Sequence, residues 1–478
     1  MIVYKFGGAL ARSKRGLEAL AQIVRERYAR EVARARRSSS KKNAERTSGT
    51  IRGLVVVVSA IGHTTRQLAH AAELAEAGKL PEAEIALDRT IAQHEQLAAT
   101  LGLDGEDDLF EAFEEIGTSV RSLLEGIGIT RELSPRSRDA VIAHGEQFAM
   151  ALVQALLIER DIPMHTIDAR RVFITNESFG HAVPDTVAVA DRAEKLIAPR
   201  LRRSEVVLMQ GFVGATPDGV TTTMGSESSD LTATLLAASL GAEEVVIWKM
   251  LPGIYTADPE LVPHARLIRS LRFDEAEEIG RRGARVLFPS FAHPLMQSKP
   301  PTVLRIATPF GKGGHQAARH TMLTREIASP TRTQRALAVA LEEKLVMIRI
   351  SRKDRTPKPD RRKHERMQEA LASAFARWST PAETIAIFSR DDRRRIASAI
   401  DRDAFSVTEP ASVAAIAVVI RKGKSEPFEG KFTAQISRSL RACHLHAIIP
   451  IEQSLIAFVD DSEGRPALRK LHHELFEV

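Results

Sequence analysis

The run "LVVVVSA", Leu54 to Ala60, constrains this chain most. Four valines follow a leucine, and β-branched side chains favour extended backbone. The run does not alternate with polar residues, so both faces of the strand must be covered. That is the situation of a parallel sheet with helices on either side. The same signal recurs in "IVYKF" (2–6), "MHTIDA" (164–169), "EVVLMQGF" (205–212), "EVVIW" (244–248) and "TVLRIA" (302–307). Helical spacing lies between these runs, as in Leu17, Leu20, Ile23 and Val24, and it dominates from the end of the valine run to Asp161. The expected fold class is α/β: a three-layer αβα sandwich with a largely parallel central sheet, whose ligands sit at the carboxyl ends of the strands.

The pattern breaks between Gly311 and Arg335, where glycine, serine, threonine and proline accumulate. We expect a first domain over 1–312, a linker over 313–335 and a second domain over 336–478. The second has short strands ("LVMIRIS", "TIAIFS", "VAAIAVVIRK", "LHAIIPI", "SLIAFVD") and helices over about 360–378, 432–443 and "RPALRKLHHELF". It reads as two small α+β units in tandem, the first incomplete. A chain of 478 residues leaves room for about three domains of ordinary size.

One cysteine, Cys443, excludes an internal disulfide or a thiolate zinc site. The start "MIVYKFGGAL" lacks the basic and apolar regions of a signal peptide. No apolar run approaches the roughly 20 residues of a membrane helix, so a cytoplasmic soluble protein without a membrane partner is expected. The net charge is +7, with much of the excess in 30–46 and 352–366. Those runs suit polyanion contact or solvated loops. Neither is interleaved with aromatic residues for base stacking, so no nucleic-acid partner is expected.

Several short motifs carry chemistry. In "YKFGG", Lys5 ends a strand and Gly7 and Gly8 follow it, putting an ammonium beside backbone N–H groups at a helix start. That suits a phosphate; the plain alternative is a strand-ending turn with a surface lysine. "SAIGHTT" (59–65) can line the same pocket, or Thr64 or Thr65 can simply cap a helix. Glu146 of "AHGE" can hold a substrate amine or be an exposed helix glutamate. In "GFVGATPDGVTTTMGSESSD", Gly211, Gly214, Gly225, Ser228, Ser229 and Asp230 precede an apolar helix. They can hold phosphate, with Asp230 orienting a nucleophile or Mg²⁺, or Ser229 or Asp230 can merely cap the helix. "GIYTADP" is a turn able to cover an adenosine, or an ordinary loop.

Taken together and in this order, the stretches "VYKFGG", "VVSAIGHTT", "AHGE", "DARRVFITNESFGHAVPD", "QGFVGATPDGVTTTMG", "GIYTADP" and "FDEAEEIGRRGARVLFP" resemble the aspartokinases, enzymes of the amino-acid kinase fold. The resemblance covers nearly all of residues 1–310, and the tail resembles that family's paired regulatory ACT modules. It implies phosphoryl transfer from MgATP to the β-carboxylate of L-aspartate, with ATP and Mg²⁺ as cofactors and a homodimer or higher oligomer through the ACT-like modules. It implies catalytic roles for Lys5 and Asp230 and a nucleotide-side setting for Gly7, Gly8, Gly225, Ser229, Lys249, Tyr255 and Arg285. Thr65, Glu146 and the Ser226 position fall on the substrate side.

The chain departs from the family pattern at known places. "KFGGTS" becomes "KFGGAL", and "GRGGSD" becomes "GSESSD", so Ser226 replaces an arginine clamp and Glu227 a glycine. "WTDV" becomes "WKML", so Lys249 and Met250 replace a threonine and an aspartate. "DPR" becomes "DPE" at Glu260, and Arg285 keeps the charge of a lysine. Lys249 can compensate on the nucleotide side, and Arg170 or Arg171 on the substrate side. The alternative to a working kinase is a non-catalytic paralogue serving as a partner or regulatory subunit; a kinase acting on glutamate or N-acetylglutamate is a third reading.

Overall fold

The computed structural model describes residues 1–38, 53–203, 205–282, 291–310, 319–327, 335–353, 361–372, 374–380, 382–402, 404–408, 410–421, 428 and 430–477. Its contacts divide the chain into two units. Unit 1 holds Met1–Ile254, Arg269–Glu277 and Val286–Ala328; unit 2 holds Tyr255–Ile268, Glu278–Arg285 and Ser329–Val478.

The chain opens with β1 (Ile2–Phe6), α1 (Gly8–Ala11), α2 (Lys14–Ser38) and β2 (Leu54–Val58). A helical block follows: α3 (Thr64–Glu76), α4 (Leu80–Thr100), α5 (Asp107–Thr130), α6 (Pro135–Ile142) and α7 (His144–Glu159). Next come β3 (Met164–Thr166), α8 (Thr186–Leu196), α9 (Ala198–Arg202), β4 (Val206–Gln210) and a hairpin of β5 (Val213–Ala215) and β6 (Thr221–Thr223). After α10 (Ser229–Ser239) the chain runs through β7 (Glu244–Trp248), β8 (Ser270–Arg272), α11 (Phe273–Arg281), α12 (His293–Met296), β9 (Val303–Ala307) and β10 (His320–Thr324).

The large sheet has the order β3-β4-β2-β1-β7-β9-β10-β8. From β3 to β9 every neighbouring pair is parallel, and only β9–β10 is antiparallel. Every residue of β1, β2 and β4 is buried, as the uninterrupted valine run requires. Ile2, Tyr4, Phe6, Leu54, Val56, Val58, Val206 and Leu208 form one core with the helical block. The alternate residues Val3, Val55, Val57, Val207 and Met209 are equally buried on the opposite face. In α5, Leu109, Phe113, Val120, Leu124 and Ile127 are the buried stripe. Local signals start helices where expected: Pro135 stands at the first position of α6 and the Ser134 hydroxyl accepts the Ser137 N–H at 3.1 Å.

In unit 2 a single antiparallel sheet runs β12 (Ala376–Ser379), β13 (Glu383–Ser389), β11 (Arg335–Arg352), β15 (Ala411–Arg421), β17 (Ser454–Asp460), β16 (Leu445–Ile451), with β14 (Phe405–Val407) also on β11. The 18-residue β11 pairs with β13 along its second half and with β15 along both halves. It thereby joins the two expected modules into one surface. Helices α13 (Arg361–Ala372) and α14 (Arg393–Ala399) cover Val346, Ile348 and Ile350. Helices α15 (Gly430–Ser439) and α16 (Gly464–Phe476) cover Ala414, Ile416 and Val418.

Four expectations change. The helix expected over 360–378 stops at Ala372, and Trp378 lies in β12, opposite Ile385, with its ring stacked on Phe458 at 5.9 Å. An aromatic residue gains more there than at a helix end. The expected linker contains β10, which completes the unit 1 sheet; the rest of that break, 311–318 and 328–334, is outside the described residues. The first basic run continues α2 to Ser38, and its remainder (39–46), like 354–360 in the second run, lies outside the described residues. Finally, Pro135–Glu159 is long and apolar enough to cross a membrane. Phe148, Leu152 and Leu156 are fully buried in the unit 1 core, so we read it as a core segment.

Candidate active site at the strand ends

Register brings the carboxyl ends of four strands level. Phe6 pairs with both Val58 and Trp248, and Val58 pairs with Gln210. The residues just beyond these positions therefore form one rim, which is where parallel sheets bind ligands.

On this rim Lys5 is buried and its Nζ lies 2.8 Å from Oδ1 of Asp230. Lys249, one residue past β7, places its Nζ 2.9 Å from the other oxygen, Oδ2. Asp230 has no solvent exposure. Burial alone would raise its pKa, but Lys249 and then Lys5 outweigh it and hold the carboxyl below its ordinary value. Burial draws Lys5 below the usual lysine value, with Asp230 acting against it. The surface-lysine alternative for Lys5 is thus excluded.

The glycine turn is fixed by close backbone packing. Gly7 N–H donates to Trp248 C=O at 3.0 Å, and Gly62 N–H to Gly8 C=O at 3.0 Å. A Cβ on Gly8 would come 2.0 Å from the Ala60 carbonyl oxygen. Gly211 plays the same part at the end of β4: a Cβ there would lie 2.5 Å from Cβ of Ser229. Both positions therefore exclude any side chain.

Helix α10 begins at the rim. Ser228 is its N-cap residue, with no side-chain cap hydrogen bond. Neither Ser229 nor Asp230 caps the helix with its side chain; the Asp230 N–H donates to Glu227 C=O at 3.3 Å, which leaves the start of the helix, at Ser229, as the part that can face an anion. The Ser228 and Ser59 hydroxyl oxygens and Oε2 of Glu146 are buried and have no hydrogen-bond partner among the described residues. Unpartnered buried polar atoms call for an explanation, and a ligand is the simplest.

Glu146 lies in the first turn of α7 and is 3 % exposed, so the exposed-glutamate alternative fails. Its Oε1 accepts the Ala60 N–H at 3.2 Å. Burial pushes its pKa up to about 8. Thr65 is half-buried beside Gly145. Thr64 is the buried threonine; it donates to Ile61 C=O at 2.7 Å rather than capping α3.

The substitutions sort themselves by position. Ser226 and Glu227 are exposed, in the turn before α10. Glu227 has φ 64°, a left-handed conformation where the family pattern has glycine. Gly225, at φ 93°, accepts the Ser228 N–H at 3.2 Å. Arg170 is held by Asp168 (Nε to Oδ2 2.9 Å), which also accepts from Gln210 at 3.1 Å, at the end of β4. Arg170 is also among the charges that lower the pKa of His144, after burial. Arg171 instead lines a separate cavity of about 450 Å³ with His165, Lys195 and Arg200. Tyr255 groups with unit 2, where it bridges Leu267, and Arg285 lies outside the described residues. Sequence reasoning missed the Lys249–Asp230 contact and the Ala60–Glu146 hydrogen bond. A lysine directly after the apolar strand "EVVIW" was the available signal for the first.

The model of the amino acid kinase family matches residues 1–305. This chain belongs to that family. Its relatives include the lysine-sensitive aspartokinase 3 of Escherichia coli, 36 % identical over 238 residues, 49 % of this chain and 51 % of the relative. The aspartokinase of Chlamydia trachomatis is 29 % identical over 300 residues, 63 % of this chain and 60 % of the relative. The matched stretches thus span about half to three-fifths of these curated relatives. The fold matches E. coli aspartokinase III, solved with aspartate and ADP, over 100 % of both chains, at 26 % identity and a TM-score of 0.74. It also matches Clostridium acetobutylicum aspartate kinase, at 15 % identity and a TM-score of 0.71, which bears on fold alone.

Proposed function

We propose that this chain transfers the γ-phosphoryl group of ATP to the β-carboxylate of L-aspartate, giving 4-phospho-L-aspartate and ADP. The observation that carries the reading is the buried Lys5–Asp230–Lys249 cluster beside a glycine turn and a helix N-terminus. The aspartate and ADP held by the structurally matched E. coli enzyme support it. In this reaction a carboxylate oxygen bonds to the γ-phosphorus while the bond to the β,γ-bridging oxygen breaks, and that electron pair leaves with ADP. Both reactants are anions, so the protein's task is positioning and charge neutralisation.

Lys5, deep in the pocket and oriented by Asp230, neutralises the transferring group. Gly8, Gly225 and Ser229, at the start of α10, offer N–H groups to the phosphates, while Gly7, whose N–H is held by Trp248 C=O, shapes the turn. Glu146 receives the substrate ammonium, with Thr65 beside it. Arg170 is the cation on hand for the α-carboxylate, since Ser226 is too short and Arg171 lies elsewhere. Tyr255 and Arg285 receive no role here. Mg²⁺ does not fit the carboxyls of this rim: both oxygens of Asp230 are on lysines, burial pushes the pKa of Glu146 up to about 8, and Glu227 points from an exposed turn. Unit 2, read as paired ACT-type modules, carries the association of two copies.

Hydroxylamine trapping tests the reading. Aspartyl hydroxamate from ATP and L-aspartate, absent with Lys5→Ala, supports it. Ser226 and Glu227 at the expected clamp favour the second reading, a non-catalytic partner subunit. A folded chain that yields no hydroxamate and binds no ATP by calorimetry would establish that one instead.

A further inference from the structure

We propose that Lys249 is a built-in cation of the nucleotide site: it occupies the side of Asp230 that a carboxylate-bound divalent metal would take, so nucleotide phosphates bind this chain with little dependence on Mg²⁺. The inference rests on the phosphotransfer reading above.

Consider the carboxylate first. Asp230 is fully buried and has one ammonium on each oxygen, at 2.8 and 2.9 Å. A magnesium ion needs a carboxylate oxygen at about 2.0–2.1 Å and gives up its water reluctantly. To reach Asp230 it would have to displace Lys5 or Lys249 and then sit beside both ammonium groups. The next residue offers no help, because Met250 stands where the family pattern has an aspartate. Of the other carboxyls, Glu227 is exposed in the turn before α10, and burial pushes the pKa of Glu146 up to about 8.

Consider the charge next. Within the buried cluster itself, two lysines and one aspartate carry one net positive charge without any metal, and the exposed Glu227 offsets it only from the solvent side. Low effective dielectric strengthens that charge toward an incoming phosphate. The placement suits the role. A Cβ built on Gly7 would lie 3.9 Å from Lys5 Nζ and 4.0 Å from Lys249 Cγ, so the two lysines flank the glycine turn together. The Lys5 side chain is 7 % exposed and that of Lys249 21 %. Lys249 is thus the more outward of the pair, and an anion entering from solvent meets it before Lys5. Its backbone is fixed, since Lys249 N–H donates to Ala307 C=O at 2.8 Å.

The test is calorimetric titration of ATP and ADP into the full chain, in EDTA and in excess Mg²⁺, for wild type, Lys249→Thr and Lys249→Arg. Circular dichroism confirms that each is folded. We expect wild type and Lys249→Arg to bind ATP almost equally in both conditions. Lys249→Thr should lose about 10- to 100-fold in EDTA, the size of one charge-assisted hydrogen bond, and recover with Mg²⁺. Mn²⁺ electron paramagnetic resonance without nucleotide gives a second readout: a bound ion in Lys249→Thr, none in wild type, and none in Lys249→Thr/Asp230→Asn. Wild type that binds ATP only with Mg²⁺ overturns the inference and leaves the phosphotransfer reading standing. Wild type that binds no nucleotide in either condition overturns that reading, and the inference with it.

Discussion

Glu146 gives the sharpest test of the site's electrostatics. Its ordinary pKa is 4.5, and burial raises it to about 8 in the folded chain. Between these values the folded state holds one proton more than the unfolded state, so stability falls as pH rises. The stabilising contribution is full below pH 4.5 and is lost as pH passes through 8. At about 1.36 kcal/mol per unit, and allowing for curvature near the pKa, the folded chain should lose about 2–3 kcal/mol between pH 6 and 9. Glu146→Gln keeps an oxygen for the Ala60 N–H but cannot ionise, so it should remove that slope. Urea midpoints for both proteins at pH 6, 7, 8 and 9 provide the measurement, and the difference between them cancels every other titrating group. Parallel curves would refute the argument, because an accessible or already ionised Glu146 would give no differential slope. The same physics ties the group to substrate. An ammonium beside Glu146 requires the carboxylate, so aspartate binding at pH 7 should expel about 0.9 proton. Calorimetry in two buffers of different ionisation enthalpy reads that number directly.

Glu227→Gly should stabilise the chain by about 1 kcal/mol, since φ 64° strains a side-chain-bearing residue, and it should also tighten ATP; an unchanged urea midpoint argues against strain there. Gly8→Ala should cost about 3 kcal/mol or more, because its Cβ would lie 2.0 Å from a carbonyl oxygen, whereas Gly105→Ala, with open space around it, should stay within about 0.5 kcal/mol. In unit 2, His472 is fully buried and hydrogen-bonds Thr256 through Nε2 at 2.8 Å, so His472→Ala should lower stability by about 2–3 kcal/mol; a smaller loss would mean water replaces the ring.

Much of unit 1 was legible because its physics is local. A valine run with no polar face has only one comfortable environment, and small residues after it mark the ligand end of the sheet. What the sequence could not supply was side-chain destination. Nothing local distinguishes Glu146, buried and protonated, from the exposed glutamates of the same helical block; its burial depends on the approach of Ala60, 86 positions away. Nor does any window of sequence join Lys249 to Asp230, whose meeting needs β7 beside β1 and α10 above them. Trp378 was misassigned for a related reason. Its helical spacing was real, but the ring found a partner in Phe458, 80 positions later. The strand β10 was hidden because it lies among residues whose composition signals a break, and only pairing with β9 and β8 reveals it.

The departures from the aspartokinase pattern are not independent of one another. Leaving aside position 260, where an arginine gives way to a glutamate, that pattern carries two cations and two anions around this pocket: the strand lysine and the clamp arginine, against the helix aspartate and the aspartate of the "WTDV" strand end. This chain also carries two and two, but in other places. Lys5 and Lys249 are the cations, Asp230 and Glu227 the anions, and Glu227 is close enough to act on Lys5. The arginine lost at Ser226 is matched by the lysine gained at 249, and the aspartate lost at Met250 by the glutamate gained at 227. Reverting one position alone would therefore unbalance the site: Lys249→Thr leaves two anions against one cation where two anionic substrates must enter. The balance also moves the second positive charge from the substrate side to the nucleotide side. On the proposed reaction, the substrate carboxylate relies on Arg170, whose tie to Asp168 has to loosen or be shared when substrate binds. Affinity for aspartate should accordingly depend on Arg170 more steeply than affinity for ATP does, and Arg170→Ala should raise the aspartate KM while leaving the ATP dissociation constant unchanged.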